Sequence, residues 1–309
     1  MRSLTSILLA IACIAGCACT GGHDAETPAT QTTPIPQNAQ FTVATWNVHN
    51  LFDTECDSGA CGSGNYEPDM PGGRYTDKLR EVVAGIKSIH ADVILLQEIE
   101  KESGLEDIRT ALGAETYPGA AFGETGRDAS VDVAILTRGH ITQVHRYRDL
   151  YWITQTDGTQ KRLARELLAA EIALPDGTEI TAFTTHFVSK ATDSVGDRRL
   201  GEAELTQRII AEYIAAHPGR PVVFGGDLND TPGSAPIEAV GRDGILRSVT
   251  EGMPAALITT WNDEVTFDHI FYSPAAAPLF ERAEVLCDSI RSGGFSSSDH
   301  CAVRAFFKR

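Results

Sequence analysis

With 309 residues, 42% of them hydrophobic and 22% charged, the chain is too apolar to be generally disordered and is long enough for one large domain or two small ones. Its formal net charge of −16 argues against tight, sequence-independent binding of duplex nucleic acid, which needs a basic stripe. Only local pockets such as Lys161-Arg162 with Arg165, and Arg198-Arg199, are basic, so metal-bridged phosphate chemistry stays open.

In chain order, "MRSLTSILLAIACIAGC" has one positive charge, an apolar run from Ile7 to Ala15 and small residues before Cys17. That is the layout of a secretory signal, too short for a mature membrane span. Ile14-Ala15-Gly16-Cys17 resembles the lipobox of bacterial lipoproteins, which implies a signal peptide over 1–16 and a diacylglycerol on the Cys17 thiol. The alternative is a cut elsewhere and a freely secreted product. Residues 17–40, rich in Thr, Pro and Gln, cannot bury a core and read as a tether. Export puts Cys19, Cys56, Cys61, Cys287 and Cys301 in an oxidising compartment, an odd number that leaves one thiol over. Cys56 and Cys61 are close enough for a small loop disulfide. Cys287 and Cys301 either form a second one or are two buried thiols.

From Phe41 onward strand-like and helix-like pieces alternate without an internal repeat. "FTVATWNV" reads as a first strand, followed by a loop from Asp53 to Gly73 rich in Gly, Asp and Cys. "TDKLREVVAGIKSI" reads as a helix capped by Thr76, with Leu79, Val82, Val83, Ile86 and Ile89 on one face. "ADVILLQEIE" and "VDVAILTR" are buried strands; "RELLAAEIAL" and "PDGTEITAFTTHFVS" form two more around an Asp176-Gly177 turn. "RRLGEAELTQRIIAEYIAAH" is an amphipathic helix leading to the strand in "GRPVVFGGDLNDTPGS", and "FDHIFYS" and "CAVRAFF" close the chain. No Pro- or Ser-rich break divides residues 41–309, which read as one domain.

Each strand ends in groups that bind metal or move protons: Asn47, Gln97-Glu98, His186, Asp227 with Asn229, Asp268-His269 and Asp299-His300. One such tip is turn chemistry. Six of them, spread over the chain, converge if the strands share an end of one sandwich.

"WNVHNLFD", "LLQEIE", "VDVAILTR", "TTHFVSK", "GGDLNDTPGS", "FDHIFYS" and "SSDHCAV", in this order, resemble the endonuclease/exonuclease/phosphatase superfamily, which includes deoxyribonuclease I, inositol polyphosphate 5-phosphatases and neutral sphingomyelinases. The resemblance runs from about Phe41 to Phe307. It implies an α/β fold, a four-layer sandwich of two mixed β-sheets face to face with helices outside. Glu98 is then the principal metal ligand, with Asn47 and Asp299 nearby, for Mg²⁺, Mn²⁺ or Ca²⁺. Asp227 orients or deprotonates the attacking water and Asn229 positions phosphate or water. His300 binds a phosphoryl oxygen and shares a proton, with Asp268 fixing its tautomer. His186 matches a second catalytic histidine, a candidate general acid. His269 reads as structural; His49 and Asp53 fall near the metal without an assigned role; Arg165 and Arg199 either bind phosphate or pair with acids.

The implied function is metal-dependent phosphodiester hydrolysis by an exported nuclease acting on DNA or RNA. An inositol-phosphate phosphatase or a sphingomyelinase-like diesterase is the alternative, and a non-catalytic surface binding module a third. A monomer tied to the cell envelope by its lipid is expected. The loop "DTECDSGACGSGNYEPDMPGG", with its Cys56/Cys61 pair, and "GETGRDAS" depart from the broad family pattern.

Overall fold

A computed structural model describes residues 39–62, 64–262, 264–288 and 295–308. The signal peptide, Cys17, Cys19 and the tether as far as residue 38 lie outside the described residues. The elements in order are β1 (Ala39–Leu51), α1 (Gly72–Ile89), β2 (Val93–Ile99), α2 (Glu102–Leu112), β3 (Gly119–Gly123), β4 (Asp132–Thr137) and β5 (His140–Arg146). A two-residue ribbon, β6 (Ile153–Thr154) and β7 (Gln160–Lys161), precedes β8 (Leu168–Ala173), β9 (Glu179–His186), α3 (Asp197–Ala216) and β10 (Val222–Asp227). The chain finishes through α4 (Ala235–Val240), β11 (Arg247–Ser248), β12 (Asp268–Tyr272), β13 (Phe280–Leu286) and β14 (Ala302–Lys308).

The strands form two six-stranded sheets, ordered β13-β14-β1-β2-β4-β3 and β11-β12-β10-β9-β8-β5. Both are mixed: β1 runs parallel to β2 but antiparallel to β14, and β10 runs parallel to β9 but antiparallel to β12. The two-residue period of a strand decides what faces what. Phe41, Val43, Val93 and Leu95 of the first sheet meet Ala170, Ile180, Ala182 and Val223 of the second in the central core. The intervening residues Ala44, Trp46, Ile94 and Leu96 turn outward onto Val82, Ile86 and Ile108 of α1 and α2. On the other side Phe183 and Phe224 pack on Leu205, Ile209 and Ile210 of α3. Full burial of each large apolar side chain contributes about 1.5–3 kcal/mol, so the helix–sheet–sheet–helix order follows from the sequence pattern.

The structure corrects the reading of the sequence in three places. β1 begins at Ala39, so the last two residues assigned to the tether belong to the domain. α1 starts at Gly72, with Pro71 at its N-cap, and Thr76 lies inside it, its hydroxyl donating back to the Gly72 carbonyl at 2.8 Å. α2, β3, β5 and β13 stand where no element was read; β5 and β13 are edge strands, mostly half-exposed, with weak alternation of apolar residues. Two disulfides are present, Cys56–Cys61 and Cys287–Cys301, so the buried-thiol alternative does not hold.

Candidate active site

The central parity of the strands runs on into the site. Beyond Phe41 and Val43 on β1 the next inward positions are Thr45 and Asn47; on β9 they are Thr184 and His186, on β10 Gly225 and Asp227, and β12 opens inward with Asp268. At these strand ends the space between the sheets opens to solvent. Polar groups there replace the apolar core, and each must find a partner because burial without one is costly. Gln97, fully buried beneath, donates to Thr45 Oγ1 at 3.1 Å and Thr184 Oγ1 at 3.2 Å and so stitches the two sheets together.

Glu98 is on the wrong parity for this cleft. A register shift on β2 between Gln97 and Ile99, with Glu98 at φ 67°, turns its side chain inward; bulges commonly re-aim a side chain in this way, and the left-handed conformation of a non-glycine residue is retained at functional sites. The Asn47 amide then donates one N–H to Glu98 Oε1 and the other to Asp227 Oδ2, both at 3.0 Å. The Asn50 backbone N–H holds Glu98 Oε2 at 2.8 Å. Two glycines let β10 come close enough: a Cβ on Gly226 would lie 2.0 Å from the Thr185 carbonyl oxygen, and one on Gly225 would crowd Leu95.

His300 Nδ1 meets Asp268 Oδ2 at 2.8 Å, and its Nε2 lies 3.8 Å from Asp227 Oδ2. Burial opposes charge on this imidazole, but the Asp268 and Asp227 carboxylates outweigh it and raise its pKa to about 10. His300 is therefore the proton-loaded group. Burial pushes Asp227 up to about 7, with His300 opposing and Asp268 reinforcing the rise.

His186 is the opposite case. Its Nε2 receives the Asn229 amide at 3.0 Å and lies 3.3 Å from Asp227 Oδ2, while its Nδ1 is buried without a partner. Burial, with Arg165 and His300 adding to it, lowers its pKa well below the usual value. The imidazole is thereby disposed to accept a proton or hydrogen bond and not to carry charge, in contrast to His300. Asn229 stands at φ 50°, its backbone N–H on Asp227 Oδ1 at 2.9 Å and its amide also on the Phe187 carbonyl at 3.0 Å.

Glu98, His186 and Asp227 each present a ligand atom within 4.8 Å of the others, as do Asp227, Asp268 and His300. Two carboxylates held together through one neutral amide form a hard oxygen-donor set that fits a dication such as Mg²⁺ or Mn²⁺. Asp299 is not in either group: His49 Nδ1 holds one of its oxygens at 3.0 Å and Trp261 Nε1 the other at 3.0 Å, and these donors keep its carboxyl well below the usual range although burial opposes them. His269 is structural, its Nε2 on the Asp230 carbonyl at 2.9 Å. Arg199 is consumed by buried contacts to Asp193 and Asp230. Arg165 bonds the Val131 carbonyl and lines the cleft.

The cleft has a volume of about 580 Å³, and Tyr66, Arg127, Lys190 and Trp261 complete its walls. None of these four was assigned to the site from sequence. Tyr66 and Arg127 sit in the two loops that depart from the family pattern, which was the available signal; Trp261 lies in an irregular stretch without one. Ser298 was missed too, although its hydroxyl donates to the Asn47 carbonyl at 2.7 Å and receives the His300 N–H at 3.0 Å.

The profile of the endonuclease/exonuclease/phosphatase family matches residues 44–300. The chain belongs to that family. The matched span contains every catalytic and metal-site candidate above, and the family's reaction class is hydrolysis of phosphoric esters. No curated protein matches the chain significantly. Among solved structures, TDP2 from D. rerio complexed with a single-strand DNA product is 20% identical over 87% of this chain and 99% of that one, with a TM-score of 0.58. A mannosyl-6-phosphatase of Bacteroides thetaiotaomicron is 21% identical, covering 86% of this chain and 98% of its own, TM-score 0.59. The human Nocturnin catalytic domain with bound sulfate is 15% identical over 89% of this chain and 95% of its own, TM-score 0.62. These likenesses establish that the family member has the sandwich fold common to all three.

Proposed function

We propose that the protein is a divalent-metal-dependent phosphodiesterase acting on nucleic acid outside the cytoplasm, tethered to the cell envelope through a lipid on Cys17. The observation that carries the reaction is the Asn47 amide joining Glu98 and Asp227 across the two sheets, with the charged His300–Asp268 pair beside them. A dication held by Glu98 and Asp227 would neutralise charge on the non-bridging phosphoryl oxygens. Asp227 takes a proton from the attacking water as its oxygen bonds to phosphorus. The bond from phosphorus to the leaving alkoxide breaks, and that oxygen takes a proton from His300 Nε2. The captured proton then returns to the imidazole across the 3.8 Å between Asp227 and His300 through one intervening water. Asn229 fixes His186 and the turn around Asp227 and adds no proton of its own.

The nucleic-acid reading draws support from the arginine- and aromatic-lined cleft and from the fold shared with a TDP2 that binds a single-strand DNA product. The acidic chain makes a single strand a better substrate than a stiff duplex. Purified protein assayed with Mg²⁺, Mn²⁺ or Ca²⁺ on single-stranded DNA, plasmid, RNA, inositol phosphates, sphingomyelin and mannose 6-phosphate tests the reading. Turnover of single-stranded nucleic acid, lost in Glu98→Ala, is expected; turnover confined to a phosphomonoester or a lipid overturns it.

A further inference from the structure

An exposed aromatic side chain on its own needs no explanation, but Tyr66 is not on its own. The residue is 62% exposed, although its ring meets Phe52 edge to face with centroids 5.9 Å apart and its hydroxyl lies 3.5 Å from Arg165 Nη2. Its hydroxyl, beside Arg165, lines the cleft while much of the residue stays accessible. Tyr66 also lines a second cleft of about 470 Å³ beside the first, and with Asn50 it forms the wall between the two.

The segment carrying it is fastened at several points. The Cys56–Cys61 disulfide closes a small ring just ahead of it, and Cys61 forms a β-bridge with Glu67. The next residue, Glu67, is buried and accepts the backbone N–H groups of Asp57 and Ser58, both at 2.8 Å. Lys101 gathers Asp53 and Asp57 at 2.7 and 2.8 Å. Across the cleft Trp261 stacks on Phe267 at 5.4 Å, with Lys190 over the Phe267 ring at 5.5 Å. Aromatic rings interleaved with cations and held rigid before the ligand arrives form the surface that grips single-stranded nucleic acid by its bases and phosphates.

We propose that Tyr66 is a stacking platform for the nucleobase next to the scissile phosphate, held in place by a loop that the Cys56–Cys61 ring and the buried Glu67 fasten. The inference rests on the nuclease reading and adds to it the residue that recognises the base. Stacking is sequence-tolerant, because every base has a π-face, so Tyr66 selects for the presence of a base and not for its identity.

The test compares a fluorescein-labelled oligothymidylate with the same strand carrying tetrahydrofuran abasic residues, by kcat/KM with Mn²⁺ and by fluorescence anisotropy in chelator. Wild-type protein should prefer the intact strand by about ten- to a hundred-fold, the range expected for loss of one stacked base. Tyr66→Ala should erase that preference and Tyr66→Phe should keep it. A Cys56→Ser/Cys61→Ser variant should weaken it. A Tyr66→Ala protein that still discriminates like wild type overturns the proposal, as does a wild type indifferent to the base. A Tyr66 effect seen only on mannose 6-phosphate also overturns it, by assigning the platform to a sugar ring. Wild-type turnover of bis(p-nitrophenyl) phosphate tests the hydrolase reading separately: if it fails, that reading falls while the anisotropy comparison still decides the role of Tyr66.

Discussion

Asn47 on β1 and Asp227 on β10 belong to opposite sheets, and a 3.0 Å hydrogen bond from the Asn47 amide to Asp227 Oδ2 joins them while the same amide holds Glu98. A neutral side chain is thus all that separates two acids. Asn47→Ala removes both donors, each bond to a charged group being worth about 1.5–3 kcal/mol. The expected result is a loss of kcat/KM of about a hundred-fold or more. Circular dichroism should be unchanged, because the hydrophobic layers beneath are untouched.

Glu98→Gln keeps the shape of the side chain and removes its charge. Wild-type protein should gain thermal stability as Mn²⁺ is added, since a ligand that binds only the folded state stabilises it by mass action. The variant should lose most of that gain together with its turnover. A melting-temperature titration with Mn²⁺ checks this without an enzymatic assay.

His300 and Asp268 should behave as one unit. His300→Ala and Asp268→Asn are each expected to cost roughly a hundred-fold or more in kcat, in line with a general acid and its orienting partner. The double variant should be little worse than either single one. Rates that multiply in the double variant would separate the two roles.

The same pair sets a pH dependence for the metal-free fold. His300 is raised from 6.5 to about 10, so its contribution to stability is complete below about pH 6.5 and is lost as pH climbs through about 10. Asp227, raised from 3.8 to about 7, acts in the same sense over the lower range. In chelator the melting temperature should therefore decline from mildly acidic to alkaline pH. Asp268→Asn should flatten the alkaline part of the decline, and thermal melts across that range are the measurement.

Cys301 directly follows His300, and its bond to Cys287 spans a sequence separation of 14 residues. Closing a loop of that size stabilises a fold by roughly 3 kcal/mol in the chain-entropy model. Cys287→Ser/Cys301→Ser should unfold at correspondingly lower denaturant and lose activity, because the strand entry that carries His300 is released. Peptide mapping without reduction should recover both disulfides, Cys56–Cys61 and Cys287–Cys301.

Much of this was legible in the chain because one rule serves both core and site. The strand period that buries Val43, Ala182 and Val223 also turns Asn47, His186 and Asp227 into the same space, so apolar runs ending in polar residues pointed to the cleft. Glu98 breaks the period, and only the bulge explains how it arrives. The Asp268 partner of His300 was legible through the resemblance and stands 2.8 Å away, whereas the burial of His186 with an unpartnered Nδ1 was not, since it depends on packing between strands distant in sequence. Tyr66 and Trp261 come from irregular segments where no periodicity reports direction. The edge strands β5 and β13 escaped because half-exposed strands do not carry a clean alternation.

β1 pairs with β14 from Ala39 to Thr45, Phe41 opposite Phe307 and Thr45 opposite Val303. Asn47 and His300 lie far apart in sequence, and the register that sets Thr45 opposite Val303 brings them to one end of the sheet. The carboxylates and the imidazole therefore share one pocket only once β14 has paired with β1. Assembly of the candidate site thus coincides with the pairing of two strands distant in sequence, and the Cys287–Cys301 bond beside His300 locks that pairing in only where thiols are oxidised.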